Sequence, residues 1–424
     1  MKNHKHTIGV INLGCAKNLV DAEKLITQLI RSGYEIVTTY NEADLVIINT
    51  CGFINDAIQE SLDTIANALQ NHSKVIVTGC LGVNKQLIKK HHPEVLYICG
   101  PNKIAEVVNA VQKYLPTKIL STYEIPAAGF KLTPSHYAYL KISEGCNHQC
   151  SFCIIPQLRG KLISRPLKEI IQEAEQLVDT GTKELIIISQ DTTAYGDDLD
   201  QETNLIKLAY ELGELGIWIR LHYLYPHPII EKILPLMAEN KILPYLDVPL
   251  QHCNSRILKL MQRPGDHKNL LEKISRWRDM CPNLTIRSTF IVGFPGETEQ
   301  EFKELLEFLE QAQLDRVGCF QYSPVEGAHA NQLPNHIPEE IKQFRQAELM
   351  NLQAQISADK LQTKIDTTMQ VLIDEVIDRN AIGRTQGDAP EIDGNVYISD
   401  SHRLKSGDLV DVVIKDADEH DLFD

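Results

Sequence analysis

Lys141-Ile-Ser-Glu-Gly-Cys-Asn-His-Gln-Cys-Ser-Phe-Cys-Ile-Ile-Pro156 sets Cys146, Cys150 and Cys153 in a Cys-x3-Cys-x2-Cys spacing, with Phe152 beside the last thiol. Thiolates this close along a chain can wrap one soft metal centre, and iron–sulfur clusters are held by cysteine thiolates, usually four. Three local ligands leave one iron free to take a substrate, as the open position of a catalytic zinc does. The bland alternatives are a structural zinc site that borrows a fourth ligand, or three unrelated core cysteines. Zinc usually shows paired Cys-x2-Cys or Cys/His spacings, and none accompanies this triplet.

The triplet lies just past the apolar run Tyr139–Ile142, the first of six strand-like runs separated by helical patterns. The others are Glu184–Ser189, Trp218–Tyr223, Tyr245–Val248, Thr285–Val292 and Arg316–Tyr322. Six βα units predict an open, partial (β/α)6 barrel of TIM type, with its chemistry at the C-terminal strand ends. The loops there carry polar punctuation, including Gln190 after the second run and Gly293 and Gly296 after the fifth. Glycine permits a tight turn and close approach to a ligand. His222 and His252 read more readily as hydrogen-bonded structural residues than as catalysts. Cys253, Cys281 and Cys319 have no local partners and are read as buried.

Working outward towards the N-terminus, short apolar runs again alternate with helical patterns: Thr7–Leu13, Asp44–Thr50, Lys74–Thr78 and Val95–Ile98 precede helices. This alternation predicts a parallel sheet of βαβ units. Cys15, Cys51 and Cys80 each fall in a turn after a strand, and all such turns share the carboxyl edge of a parallel sheet, where α/β folds bind ligands. Topology thus gathers a second three-thiolate site. Cys99 also follows a strand and is the rival for a ligand position, with burial as the alternative for all four.

Residues 121–136 read as a linker. Pro338–Lys360 is a long helical pattern expected to pack on the barrel. Beyond it, Met369–Glu375, Ala381–Thr385, Asn395–Ile398 and Leu409–Ile414 read as a small antiparallel β-barrel. The expected division is α/β overall: a βαβ domain over 1–120, the barrel over 137–363 and the terminal module over 364–424.

The 424 residues are 43% hydrophobic and 23% charged, an ordinary globular balance. No apolar run approaches the ~20 residues that span a bilayer. The first residues lack a signal-peptide core, so the ten cysteines are expected in a reducing, cytoplasmic setting where metal roles outrank disulfides. The net charge of −15 is uneven. Residues 1–120 hold 12 Lys and Arg against 10 Asp and Glu, a net of +2, whereas residues 366–424 hold 5 against 15, a net of −10. An acidic face repels phosphate backbones and attracts basic partners; the alternative is a solvated, solubilising tail.

The Cys146 triplet with Phe152 inside it resembles the signature of radical-SAM enzymes. The wider run through Pro156, Arg159 and Gly160 resembles their methylthiotransferase branch. In that family the unligated iron chelates S-adenosylmethionine, whose reductive cleavage yields a 5′-deoxyadenosyl radical. Leu13-Gly-Cys-Ala-Lys-Asn18, Asn49-Thr-Cys-Gly-Phe-Ile54 and Thr78-Gly-Cys-Leu81 resemble the ligand motifs that hold a second 4Fe–4S cluster in the N-terminal methylthiotransferase domain. The terminal module occupies the place of a TRAM domain, an OB-like fold that often binds RNA. The resemblance implies two 4Fe–4S clusters, on Cys15, Cys51 and Cys80 and on Cys146, Cys150 and Cys153. It also implies S-adenosylmethionine contacts on the strand-end loops, with Phe152, Gln190 and Gly293 as candidates.

Tyr245-Leu-Asp-Val-Pro-Leu-Gln-His252 and Thr289-Phe-Ile-Val-Gly-Phe-Pro-Gly-Glu297 are similar to the ribosomal-protein aspartate methylthiotransferase branch (RimO-type). Ala16 stands where that branch commonly has proline. The implied reaction adds a methylthio group to the β-carbon of an aspartate in small-subunit ribosomal protein twelve, with an electron donor and a sulfur donor as partners. The acidic terminal module disfavours a tRNA grip and suits a basic ribosomal protein. The alternatives are methylthiolation of a modified adenosine in tRNA, a non-catalytic iron–sulfur electron carrier and an RNA-binding module.

Overall fold

The computed structural model describes residues 5–38, 40–71, 74–117, 125–200, 202–401 and 403–424. The N-terminal sheet comprises β1 (Thr7–Asn12), β2 (Glu35–Val37), β3 (Leu45–Thr50), β4 (Val75–Gly79) and β5 (Tyr97–Ile98) in the order β2-β1-β3-β4-β5. Every pairing in it is parallel. Helices α1 (Ala16–Arg31), α2 (Asn55–Asn71) and α3 (Lys85–His91) make the crossovers, and α4 (Ile104–Tyr114) follows β5 and packs against α1. All residues of β3 and β4 are buried, as the near-continuous apolar runs of a parallel sheet require.

The central sheet begins with β6 (Tyr137–Lys141); the hairpin of β7 (Ser143–Glu144) and β8 (Ile163–Ser164) encloses the short helix α5 (Ile155–Arg159). Then follow α6 (Leu167–Asp179), β9 (Glu184–Ile188), α7 (Leu205–Gly213), β10 (Trp218–Leu221), α8 (Ile229–Ala238), β11 (Tyr245–Asp247), α9 (Ser255–Leu260), α10 (His267–Met280), β12 (Thr285–Val292), α11 (Glu299–Ala312) and β13 (Arg316–Gln321). The order β13-β12-β11-β10-β9-β6, parallel throughout, leaves β6 and β13 as the two edges of an open barrel. Helix α12 (Glu339–Gln362) lies along β13 and α11, with Leu349 and Ile356 buried.

The terminal module pairs β14 (Thr368–Ile377), β15 (Asn380–Thr385), β16 (Val396–Ile398), β17 (Leu409–Val413), β18 (Asp416–Ala417) and β19 (Leu422–Phe423) in the order β17-β14-β15-β16-β19-β18. Its pairings are antiparallel except β16 with β19. The acidic C-terminal segment therefore completes a sheet instead of trailing as a solvated tail. Among the described residues no helix is long and apolar enough to cross a membrane.

Both ends of the barrel are stoppered. At the strand C-termini, α1 is wedged between its own sheet and the barrel: Leu25 and Leu29 pack on the first, while Val20, Ala16 and Leu19 join a cluster with Tyr139, Ile186, Ile188 and Tyr223 of the second. At the opposite end the segment 386–394, between β15 and β16, enters the floor. Glu391 accepts from the Tyr137 hydroxyl (3.1 Å), Asp393 from the Tyr245 hydroxyl (2.6 Å), and Asp388 pairs with Arg316 (2.5 Å). The described part of the expected linker is a strap on α1: Phe130 N–H donates to Thr27 Oγ1 and Leu132 N–H to Glu23 Oε1, both at 2.9 Å.

Candidate metal centres

Register brings the first trio together. Asn12 is level with Asn49, and Thr50 with Gly79, so the turns holding Cys15, Cys51 and Cys80 leave adjacent strands at one height. The turns touch. A side chain at Gly14 would put its Cβ 2.9 Å from Cys51 Cβ, and one at Gly79 would fall 2.4 Å from the Thr50 carbonyl oxygen. Both glycines also have positive φ (88° and 91°), which other residues adopt at a cost. Cys51 and Cys80 each feel the charge of Cys15.

Their electrostatics differ. Burial pushes the Cys80 thiol up to about 11, partly countered by Arg159. Cys15 opens to solvent at the site's lip. The protein atoms around it would raise its pKa, but Lys17, the Asn18 N–H and Arg159 outweigh that desolvation and hold it below the ordinary thiol value. Cys99 is buried, with its Sγ 3.4 Å from Thr78 Oγ1. It is a core residue on the opposite bank of Thr78.

The second trio lies in the loop between β7 and α5, just ahead of that helix. Backbone N–H groups of His148 and Ile155 donate to Cys146 Sγ and Cys153 Sγ, each at 3.4 Å, and Arg263 Nη1 lies 3.9 Å from Cys150 Sγ. Such donors favour anionic sulfur and are among the levers that set cluster potentials. Without an ion, burial pushes Cys146 up to about 11 and Cys153 up to about 12, so metal binding at this loop displaces protons. His148 stacks on Tyr225 (3.8 Å between centroids), and the Arg263 guanidinium lies 4.2 Å from the centroid of the same tyrosine ring. His148 is fixed by Asp191 at 2.6 Å.

Among the described residues, no three His, Cys, Asp or Glu side chains converge on a point that would hold a single metal ion. Iron–sulfur clusters are held by cysteine thiolates, and the all-thiol donor set of each trio fits that group.

The carboxyl edges of the two sheets meet. Lys17 Nζ lies 3.4 Å from the Ser189 carbonyl oxygen and 3.2 Å from the Tyr223 ring centroid, and Asn55 N–H donates to Ser323 Oγ at 3.3 Å. Between them sits a buried network. Lys141 binds Asp21 and, at 2.7 Å, Glu144. Arg159 binds Asp21 at 3.1 Å, Glu144 at 2.9 Å, and Asn18 Oδ1. Glu144 is desolvated, yet Lys141 and Arg159 hold its carboxyl at about 2. Sequence reasoning singles out none of these partners as a site residue. The available signal is charge embedded in the two cysteine motifs.

The three candidate cofactor contacts are placed apart. Gln190 is at the mouth, where its Nε2 donates to Glu144 Oε1 at 2.6 Å and its own buried Oε1 is left without a partner. Phe152 packs beside Met261, Phe294 and Tyr322. Gly293 has a positive φ of 69° in the turn after β12, and a Cβ there would strike Lys342 Cγ at 2.1 Å, so the turn and the close passage of α12 both call for glycine. His222 and His252 are buried, as are Cys253, Cys281 and Cys319.

An open six-stranded parallel barrel bearing a three-cysteine loop beyond its first strand defines a radical-SAM protein. Residues 140–309 match the radical SAM superfamily, residues 7–100 the uncharacterized protein family UPF0004, and residues 365–423 the TRAM domain. The fold alone is shared with the radical S-adenosylmethionine methyltransferase TsrM from Kitasatospora setae (TM-score 0.55, 12% identity, 76% of this chain and 77% of that one). It is likewise shared with the cobalamin-dependent radical enzyme OxsB (TM-score 0.50, 11% identity, 82% and 56%). Sequence goes further. The ribosomal protein uS12 methylthiotransferase RimO of Vibrio cholerae serotype O1 is 57% identical over 98% of this chain and 91% of its own length. The protein of the same name from Proteus mirabilis is 54% identical over 99% and 98%. The chain belongs to the RimO family of radical-SAM methylthiotransferases. Membership of the radical SAM superfamily carries with it S-adenosylmethionine and a 4Fe–4S cluster.

Proposed function

We propose that this chain adds a methylthio group to the β-carbon of an aspartate in ribosomal protein uS12, using two 4Fe–4S clusters and S-adenosylmethionine in the cytoplasm. What supports this reading is that the carboxyl edges bearing the two cysteine trios meet, joined by the buried Asn18–Arg159–Glu144 network. Cys146, Cys150 and Cys153 would hold the cluster that binds S-adenosylmethionine, and Cys15, Cys51 and Cys80 the auxiliary cluster. When bound, these groups supply a 5′-deoxyadenosyl radical that removes hydrogen from an unactivated carbon and a site for the sulfur to be transferred.

This chain's own residues bind, orient and exclude water. Backbone N–H groups at His148 and Ile155 steady two thiolates. Gln190 offers an unpaired carbonyl at the mouth, suited to a donor on the cofactor. Helix α1, wedged over the barrel, keeps bulk water from a radical that would otherwise be quenched. An electron donor and a sulfur donor complete the reaction.

The terminal module would recruit the substrate. Of the 15 acids in residues 366–424, nine are exposed against four exposed Lys and Arg, so the usable surplus there is five negative charges, half of what composition implies. Asp374, Asp388 and Asp393 are among the acids spent on the barrel floor. The sign still suits a lysine- and arginine-rich protein.

The test is iron and sulfide content after anaerobic reconstitution, with S-adenosylmethionine cleavage followed in parallel. Cys150→Ala should abolish 5′-deoxyadenosine formation. Cys51→Ser should remove one cluster's worth of iron and sulfide and stop methylthio transfer. Unchanged iron in Cys51→Ser would refute the auxiliary site.

A further inference from the structure

Two residues outside both cysteine trios tie them together. Building on the two-cluster reading, we infer that Asn18 and Arg159 form a positioning device, which holds the three auxiliary cysteine turns in register with the radical-cluster loop and sets a guanidinium between the two sites.

Asn18 is 1% exposed, and its one amide spans all three turns. Its Nδ2 donates to the Leu13 carbonyl (2.7 Å), two residues before Cys15, and to the Thr50 carbonyl (3.1 Å), immediately before Cys51. Its Oδ1 lies 3.8 Å from Cys80 Sγ and also accepts from Arg159 Nη2. Arg159 closes the link from the other side. It ends the helix that follows Cys153, and its Nη1 binds Glu144, two residues before Cys146. Both ends of the radical-cluster loop are thereby pinned to one guanidinium, which is in turn pinned to the auxiliary trio.

Arginine suits this post because its planar fork serves several acceptors at fixed angles; lysine is a point charge. As a free thiol Cys80 can donate to Asn18 Oδ1. As a metal-bound thiolate it cannot, and the donor left facing that corner is the guanidinium. Charges and donors near the sulfurs raise a cluster's potential, and partners of this kind are worth much of a site's activity. A merely structural seam would not require a buried cation at this spot, since apolar packing does that at lower cost.

The experiment uses the full chain carrying Cys146→Ser, Cys150→Ser and Cys153→Ser, which retains the auxiliary site alone, reconstituted anaerobically with iron and sulfide. Arg159→Met on that background should lower the reduction midpoint measured by electron paramagnetic resonance, and Arg159→Lys should restore part of it. In the chain with all cysteines intact, both Arg159 variants should lower the ratio of methylthiolated product to 5′-deoxyadenosine by about 10- to 100-fold. If Arg159→Met does not fold, Arg159→Lys decides, because it keeps the buried charge and loses the fork. A ratio equal to the parent's, with an unmoved midpoint, overturns the inference while leaving two clusters in place. A triple-serine parent that binds no iron overturns the two-cluster reading and this inference with it.

Discussion

Glu184→Gln should loosen the terminal module from the barrel. Glu184 is fully buried at the start of β9 and lies between Arg220 of β10 and Arg384 of β15, at 2.7 Å from each. Removing one partner of a buried ion pair costs about 3–5 kcal/mol, because a charge is left uncompensated. Here the lower end applies. Arg384 keeps both oxygens of Asp374 (2.7 and 3.0 Å), and Arg220 keeps the Gln386 carbonyl (2.9 Å) and the Tyr245 ring (4.5 Å). At roughly 2–4 °C per kcal/mol for a unit of 150–250 residues, a loss of about 3 kcal/mol lowers the melting temperature by roughly 6–12 °C. Burial opposes ionisation of Glu184, but Arg220 and Arg384 outweigh it and hold the carboxyl below its usual range. A lowered native pKa gives stability that is present above the unfolded value and is lost as pH falls through the native one. The gap between parent and variant should therefore be full at neutral pH and close only in acid, below about pH 4. Scanning calorimetry with limited proteolysis ahead of β14 reads both effects. A shift under about 2 °C at pH 7, less than one kcal/mol, would refute the reasoning.

Burial lowers His222 to about 4 and His252 to about 3. Stability tied to these neutral rings is full above the unfolded pKa of about 6.5 and drains as pH falls, by about 2 kcal/mol each at pH 5. His222→Phe should shrink the difference in denaturant stability between pH 7 and pH 5 by that amount, and an unaltered difference would contradict it. Gly14→Ala should push on Cys51 and reduce iron at the auxiliary site while leaving the radical-cluster loop loaded, measured as iron per chain after reconstitution. Replacing the exposed Glu375, Asp411 and Glu419 by lysine should slow association with uS12 roughly tenfold at low salt, read by stopped flow; an unchanged rate would remove the module's recruiting role.

The periodicities that decide the fold are plain because the strands β3, β4, β6 and β9 are wholly buried, and a fully buried strand writes an unbroken apolar run. Glu35–Val37 escapes notice because three residues, the first exposed, carry no period. β18 and β19 escape for the same reason, and so a solvated tail stands as an alternative for the C-terminal segment. Placement of the cysteine trios follows from topology, since a parallel sheet puts its turns on one edge. What holds the trios in register does not. Asn18 and Arg159 lie 141 residues apart and meet only when the domains dock. Charge counting also misleads in degree, because sequence does not say which acids, such as Asp374, Asp388 and Asp393, are consumed by His136, Arg316 and Arg287.

Mass spectrometry of purified uS12 and of tRNA, each incubated anaerobically with the reconstituted enzyme, S-adenosylmethionine, a sulfide source and a reductant, reaches the central claim most directly. The account predicts one methylthio group in place of a hydrogen on a single uS12 aspartate, with tRNA unchanged. Methylthiolated adenosine in tRNA beside unmodified uS12 would contradict it.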